Sequence, residues 1–407
     1  MLRCGLLGEK LSHSFSPAIH AYLGNYSYEL FEVERGQVAD FLQNGPFDAI
    51  NVTVPYKKTA AALCSELSPL AARIGAVNTV IRRADGTLYG DNTDAFGFGC
   101  MLQIAGMDVR GQKVVLLGSG GTSVMAQAML QDMGANTVVV SRTGAVNYEN
   151  VHALHGDAAF LVNTTPVGMY PNCDESPISL AGFSRLRGVA DVIYNPVRTN
   201  LLMQAEQRGI SGINGLAMLV AQAKRASDLF LNTPRDNSEI DDIAAKIAAQ
   251  MMNIVLVGMP GCGKTTVATA LAEKLGRPMA DVDIEIEREA GKSIPQIFAE
   301  DGEEAFRALE SSVIRRLGAQ SGLVIATGGG SVLREENYAA LHRNGRIFHL
   351  LRDIDKLPTE GRPLSQQTDL EQMWQARREF YRRFADCDAD NNGTVERTVE
   401  RIVEELR

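Results

Sequence analysis

Short apolar runs alternate with helical patterns along the whole chain. Leu2 to Leu7, Tyr28 to Val33, Ala49 to Val54 and Val77 to Arg82 read as strands, each followed by turn residues or a helical pattern. That order predicts an alternating α/β unit. A second series begins at Val114 and continues through Thr137 to Val140, Ala159 to Val162 and Val189 to Ile193, the spacing of a parallel, doubly wound sheet. Leu216 to Leu231 is helical and is expected to pack back on the first unit. Between Asn232 and Asn253 the pattern changes: Asn-Thr-Pro-Arg-Asp-Asn-Ser is polar and turn-rich, and Ser238 to Gln250 reads as one amphipathic helix. A domain boundary is placed there. Met251-Met252-Asn253 then opens a fresh strand, Ile254 to Val257, that runs into a glycine-rich loop.

Length and composition narrow the classes. A chain of 407 residues exceeds the ~250–300 residues at which one core stops growing, so two to three folding units are expected. The 45% apolar and 22% charged fractions are those of an ordinary soluble protein, and a net charge of −9 argues against a nucleic-acid surface. Small molecules are the expected partners, with monomer and homodimer both left open. Cys4, Cys64, Cys100, Cys173, Cys262 and Cys387 stand singly and read as reduced thiols. The N-terminal residues pass straight into polar sequence and no apolar stretch approaches the ~20 residues of a membrane span, so a cytoplasmic location is expected.

Two glycine loops of different kinds follow apolar runs. Gly118-Ser119-Gly120-Gly121 lies between Val114–Leu117 and an Ala/Met-rich helical stretch, the strand-turn-helix context of a dinucleotide-binding turn. Gly258-Met-Pro-Gly261-Cys262-Gly263-Lys264-Thr265-Thr266 has the full Walker A pattern. There backbone N–H groups wrap phosphates, Lys264 adds charge at the terminal phosphates, and the Thr265 hydroxyl ligates Mg²⁺.

Polar clusters sit at the predicted strand ends of the first part: Ser14-Phe-Ser16-Pro17, Asn51-Val-Thr53-Val-Pro55-Tyr-Lys57, Gly75-Ala-Val-Asn78-Thr79 and Asp91-Asn92-Thr93-Asp94. Any one alone reads as a turn or helix cap. Hydroxyls and amides in this density suit a polyhydroxylated ligand, and a Lys beside an Asp can move a proton to or from a carbonyl. In this order, followed by Asn163-Thr-Thr-Pro166-Val-Gly168-Met169, Asp191-Val-Ile-Tyr194-Asn-Pro196 and Gly215-Leu-Ala-Met218-Leu-Val-Ala-Gln222, residues 1–231 resemble shikimate dehydrogenase. The resemblance implies Lys57 and Asp94 as catalytic pair, Ser14, Ser16, Thr53, Asn78, Tyr194 and Gln222 around the substrate, and Gly118, Gly120, Gly121, Met169 and Gly215 at the cofactor. Val138-Val-Val-Ser141-Arg142-Thr143 carries a cation where an NAD enzyme carries an acid, which favours NADP: Arg142 pairs with the 2′-phosphate, flanked by Ser141 and Thr143. The family usually has Asn where Ser141 stands.

Behind the Walker loop, Asp281-Val-Asp283, Gly302-Glu-Glu-Ala-Phe306-Arg307-Ala-Leu-Glu310 and Thr327-Gly328-Gly329-Gly330 resemble shikimate kinase. By that resemblance Asp283 takes the acceptor hydroxyl and Asp281 lies nearer the metal with Thr265. Arg307, oriented by Glu310, grips the substrate carboxylate beside Gly328, Gly329, Gly330 and Arg377. Lys264 and Arg362, in Arg362-Pro363-Leu364, serve the transferring phosphoryl group. The connection from Leu351 to Arg362 is too short for the family's helix and longer lid, which normally also supply an arginine beside the adenine.

The expected fold is α/β throughout. A substrate-binding domain is assigned to 1–100 and 216–235, a Rossmann NADP-binding domain to 101–215, a linker helix to 236–251 and a nucleoside-monophosphate-kinase-like P-loop domain to 252–407. The expected function is reduction of 3-dehydroshikimate with NADPH, then phosphorylation of shikimate to shikimate 3-phosphate by ATP and Mg²⁺. The alternative is an active dehydrogenase with a catalytically weak or regulatory kinase-like domain.

Overall fold

The protein is described by a computed structural model covering residues 1–11, 14–357 and 370–406. The chain divides into two compact units, 1–195 with 199–247, and 196–198 with 248–407.

The first unit holds two sheets. One has the order β2-β1-β3-β5-β6-β4, with β1 Arg3–Gly8, β2 Ser27–Glu32, β3 Ala49–Val52, β4 Glu66–Leu67, β5 Thr79–Arg82 and β6 Leu88–Asp91. β1 pairs in parallel with β2 and β3, as the alternating pattern predicts, but β5 runs antiparallel to both β3 and β6. This reversal is a departure from the predicted simple alternation. The β5–β6 half of it has a local cause, a tight turn at Asp85-Gly86 with the Asp85 carboxylate accepting from the Thr87 backbone N–H at 3.0 Å, a hairpin signal that apolar periodicity does not detect; the β3–β5 pairing joins residues far apart in sequence. The reversal matters for the site. Thr79 is registered between Asn51 and Asp91, so the residues before β5 meet those that follow β1, β3 and β6 at one sheet edge.

The other sheet is wholly parallel, in the order β11-β10-β9-β7-β8: β7 Lys113–Leu117, β8 Asn136–Val140, β9 Phe160–Asn163, β10 Gly188–Asp191 and β11 Ser211–Ile213. Val114 to Leu117 are completely buried, as strands covered on both faces require. The helix Leu216–Phe230 returns to the first sheet: Ala226 and Phe230 share a core with Cys4, Tyr26 and Ala49, while Ala217 and Met218 pack with Ala95, Phe98 and Met101 of the helix Asp94–Ile104. The two helices touch at Gly97. A Cβ there would stand 2.5 Å from the Met218 carbonyl oxygen, so a residue without a side chain is what brings Gln222 against Asp94's helix.

The linker helix expected over 236–251 is observed as Glu239–Met251, and the residues before it are tied to the first unit. Lys224, almost fully buried, donates to Asp228 Oδ2 at 2.8 Å, to Asn237 Oδ1 at 2.9 Å and to the Arg235 carbonyl. A buried ammonium needs that many partners. The helix Glu239–Met251 then buries Ile240, Ile243 and Ile247, and 199–247 belong to the first unit.

The second unit is a parallel sheet in the order β13-β14-β12-β15-β16: β12 Asn253–Val257, β13 Met279–Asp281, β14 Val324–Ala326, β15 Gly345–Leu351 and β16 Cys387–Asp390. β12, wholly buried, is central and delivers the Walker loop to the carboxyl edge. β16, Cys-Asp-Ala-Asp, is an edge strand whose polar composition hides it from a hydrophobic reading. Among the described residues, no helix is long and apolar enough to cross a membrane, and all six cysteines are free thiols.

Candidate active sites

In the first unit the sheet edge created by the β5 reversal gathers the polar clusters. Lys57 opens the helix Lys57–Leu63 after β3, and Asp94 opens the helix Asp94–Ile104 after β6. Lys57 Nζ meets Asp94 Oδ2 at 2.5 Å, with side chains 25% and 19% exposed, reachable by a ligand but shielded from bulk water. Asn78, buried just before β5, holds the other carboxylate oxygen by donating to Asp94 Oδ1 at 2.9 Å. Its own Oδ1 accepts the Thr93 backbone N–H at 2.7 Å, and its amide also reaches Thr93 Oγ1 at 3.0 Å and Gln222 Oε1 at 3.4 Å. Lys57, Asp94, Asn78 and Gln222 therefore form one connected group. Asn51, Thr79 and Thr93 lie beneath it: Asn51 Nδ2 donates to Thr79 Oγ1 at 3.2 Å and Tyr28 donates to Asn51 Oδ1 at 2.8 Å. Sequence reasoning quoted these residues without giving them a role; their signal was membership of the same polar stretches.

Ser14 and Ser16 follow β1, with Ser14 Oγ accepting the Ser16 N–H at 3.2 Å. Thr53 follows β3, its N–H donating to Leu7 O at 2.9 Å. Tyr194 lies edge-on to Phe15 with ring centroids 6.3 Å apart, which ties it to the Ser14–Ser16 turn, and burial raises its phenol pKa.

At the carboxyl end of β7, Gly118 has φ 116° and lies against Thr164, where a Cβ would come 2.8 Å from Thr164 Oγ1. Gly120 and Gly121 face open space at the start of the helix Gly121–Asp132, leaving its first N–H groups accessible to a pyrophosphate. Ser141, Arg142 and Thr143 follow β8, with Arg142 and Thr143 exposed. Met169 is 46% exposed beyond β9, and Gly215 packs so closely on Val192 that a Cβ would stand 2.0 Å from its carbonyl oxygen. These residues fit a dinucleotide: accessible amides for the diphosphate and, one strand away, a cation with no ion pair among the described residues.

In the second unit a cavity of about 610 Å³ is lined by the Walker loop, Asp281, Asp283, Arg307, Gly328 to Gly330 and Arg377. Gly258, Gly261 and Gly263 take positive φ, which turns successive N–H groups inward. Lys264 Nζ rests on the Gly258 and Met259 carbonyls at 2.9 and 3.0 Å, with Cys262 Sγ 4.0 Å away. Thr265 Oγ1 donates to Asp281 Oδ2 at 2.7 Å, and Thr266 lines the cavity beside it. A hydroxyl and a carboxylate this close are hard oxygen donors that suit Mg²⁺ completed by phosphate and water. Asp281 also caps the helix Val282–Ala290 by accepting the Asp283 N–H at 2.9 Å. Asp283 has its pKa raised to about 6, chiefly by burial, then by Asp281, Glu310 and Glu287, with Lys264 acting in the opposite sense.

Arg307 is almost fully buried on the helix Gly302–Gly318. Its Nη1 donates to Glu310 Oε2 at 2.8 Å, and Glu310 Oε1 accepts from Ser331 at 2.8 Å. A Cβ on Gly330 would lie 2.6 Å from the Arg307 guanidinium, so only glycine leaves room for it; Gly328 faces Glu310 and Asp283, and Gly329 faces Pro260. Arg377 Nη1 and Tyr381 OH both donate to the Gly329 carbonyl, at 3.1 and 2.6 Å. Ser331 and Tyr381 were not singled out from sequence for these contacts. Arg362 lies outside the described residues.

Hydride transfer needs a dinucleotide turn and a proton donor, and phosphoryl transfer needs a phosphate loop and a carboxylate; the first unit carries the one set and the second unit the other. It is an oxidoreductase joined to a phosphotransferase. Residues 6–80 match the family model described as shikimate dehydrogenase substrate binding domain, and residues 260–407 match that of shikimate kinase. A shikimate dehydrogenase (NADP(+)) of Clostridium perfringens strain SM101 is 34% identical over 261 residues, covering 59% of this chain and 96% of that protein. The crystal structure of shikimate dehydrogenase 1 from Peptoclostridium difficile is 37% identical with a TM-score of 0.55, covering 61% of this chain and 98% of that one. That of a Thermus thermophilus shikimate 5-dehydrogenase in complex with NADP(H) and shikimate is 32% identical, TM-score 0.54, covering 60% and 99%. The chain belongs to the shikimate dehydrogenase family and carries a shikimate kinase domain behind it.

Proposed function

We propose that this chain catalyses two consecutive steps, reduction of 3-dehydroshikimate to shikimate with NADPH and phosphorylation of shikimate at its 3-hydroxyl by ATP·Mg²⁺. The observation that most supports it is the presence of both reactive pairs, Lys57–Asp94 at 2.5 Å and Asp283 in the cavity of Lys264 and Arg307. Substrate binding is assigned to 1–100 and 216–235, cofactor binding to 101–215 and the kinase to 252–407. A cytoplasmic location fits this metabolic role.

In the first site the nicotinamide supplies the hydride. Lys57 supplies the proton that the carbonyl oxygen takes up as the ketone becomes an alcohol, while Asp94, fixed by Asn78, keeps the ammonium pointed at that oxygen. Ser14, Ser16, Thr53, Tyr194 and Gln222 hold the ring hydroxyls and carboxylate. In the second site ATP supplies the phosphoryl group. Asp283 accepts the proton of the attacking hydroxyl, Arg307 and Arg377 clamp the carboxylate, and Lys264 with Thr265 and Asp281 steadies the phosphates and their Mg²⁺.

A two-stage assay on the purified chain tests this reading. Shikimate with NADP⁺ should produce reduced nicotinamide, and shikimate with ATP·Mg²⁺ should release ADP. Lys264→Ala should stop the second signal alone; absence of ADP release from the parent protein would remove the kinase assignment. The cofactor assignment is tested separately. Arg142→Ala should weaken NADPH binding about 10–100-fold, the size of a lost charged hydrogen-bond pair, and NADH by no more than about fivefold, as for a surface charge. An equal loss for both would mean that Arg142 does not read the 2′-phosphate.

A further inference from the structure

The nucleotide site of the second unit has a cation that its motifs do not assign. Arg352 directly follows β15, the strand beside β12. Its guanidinium lines the same cavity as Gly261, Gly263, Lys264, Thr265 and Thr266, and its Nη1 comes within 3.7 Å of where a Cβ on Gly263 would stand. On the same flank, buried Asn391 at the end of β16 donates to the Cys262 carbonyl at 2.6 Å. The outer wall of the phosphate loop is thus built by the ends of β15 and β16.

Surface arginines usually sit in ion pairs or in water. Three nearby acids have other partners: Asp353 pairs with Lys356 at 2.7 Å, Asp390 with Arg401 at 3.3 Å and Asp388 with His349 at 3.1 Å. Among the described residues Arg352 has neither an ion pair nor a hydrogen bond to a protein group. An unneutralised guanidinium is therefore held against a loop whose amides already attract phosphate.

The sheet order determines which end of the nucleotide it faces. Asp281 and the Gly328–Gly330 turn lie at the ends of β13 and β14, on one side of β12, and Asp283 and Arg307 line the cavity with them. Arg352 and Asn391 lie at the ends of β15 and β16, on the other side. Phosphates cradled by the loop after β12 must direct their terminal phosphoryl group toward Asp283. The α-phosphate and nucleoside then leave on the β15–β16 side.

We propose that Arg352 is a nucleotide-binding residue, pairing with the α-phosphate side of the bound nucleoside triphosphate from the flank opposite Asp281. This rests on the kinase reading. Because the connection after β15 is short, the cation comes from the strand end itself.

Titration of ADP into the whole protein by calorimetry tests it. Arg352→Ala should weaken ADP about 10–100-fold, as expected for loss of hydrogen bonds to a charged group, and raise the KM for ATP in parallel. The KM for shikimate and the dehydrogenase rate should stay within about twofold, since the side chain is exposed and lies at the end of β15, on the other flank of β12 from Asp281 and the Gly328–Gly330 turn. The loss should shrink as salt is raised, because an exposed charge pair is screened, and Arg352→Lys should recover part of it. ADP affinity unchanged in Arg352→Ala, a salt-independent loss, or an equal rise in the shikimate KM would each overturn the proposal. A parent protein that binds no ADP would instead overturn the kinase reading.

Discussion

Replacing Lys57 by methionine is expected to lower dehydrogenase turnover about 10²–10⁴-fold, the usual contribution of a positioned general acid, while ADP release from shikimate and ATP continues at the parent rate. The local physics explains why this lysine has a chemical role. Lys57 is the first residue of its helix, where a cation opposes the helix dipole. Asp94, at the start of another helix, is in the favourable place for an anion. A lysine kept in an unfavourable position and held at 2.5 Å by a carboxylate, itself fixed by Asn78, is organised for a ligand. Methionine preserves the aliphatic length, so folding should survive. Progress curves with 3-dehydroshikimate and NADPH, run beside the phosphorylation assay, measure both activities on one sample. Loss of less than about tenfold would remove Lys57 as the proton donor, and parallel loss of both activities would point to a folding defect.

The features legible in the sequence are those whose physical cause is local. The glycine turns at Gly118 and Gly258–Gly263 follow apolar strands directly, and both lie at the carboxyl ends of parallel strands. The Lys57, Asn78 and Asp94 clusters were each visible. What joins them was not, because the antiparallel pairing of β5 with β3 and β6 depends on long-range register and a short Asp85-Gly86 turn. For the same reason the support given by Asn51, Thr79 and Thr93 to Asn78 could not be assigned. Lys224 shows a different limit. Lysine is ordinarily exposed, and nothing local foretells that this one is buried with Asp228, Asn237 and the Arg235 carbonyl, anchoring the polar, turn-rich stretch that precedes the helix Glu239–Met251. The Gly328–Gly330 run was legible as bare backbone. That Gly330 yields to Arg307 while Gly329 yields to Pro260 required the packed structure.

The second large effect concerns Asp283, whose replacement by asparagine should reduce shikimate phosphorylation about 10²–10⁴-fold and spare the dehydrogenase. Its carboxyl is pushed up to about 6 by burial and by Asp281, Glu310 and Glu287, against the pull of Lys264. A base must be ionised to accept the hydroxyl proton. The parent enzyme's kcat/KM for shikimate should therefore fall as pH drops through about 6, approaching a tenfold loss per pH unit on the acid side. The same shift has a consequence for stability. Because the folded-state pKa lies above the ordinary carboxyl value of 3.8, the carboxyl's favourable contribution is complete below that value and is lost as pH rises through about 6. The amide of an asparagine cannot ionise, so the kinase half of Asp283→Asn should be more stable than that of the parent at pH 7.5, by on the order of 1–3 kcal/mol. The difference should vanish near pH 4. Thermal unfolding at the two pH values, with the kinase pH profile of the parent, measures both effects. Full activity of the variant would exclude Asp283 as the base; a parent profile flat down to pH 5, or lower stability of the variant at pH 7.5, would mean that its charge is compensated in the folded cavity.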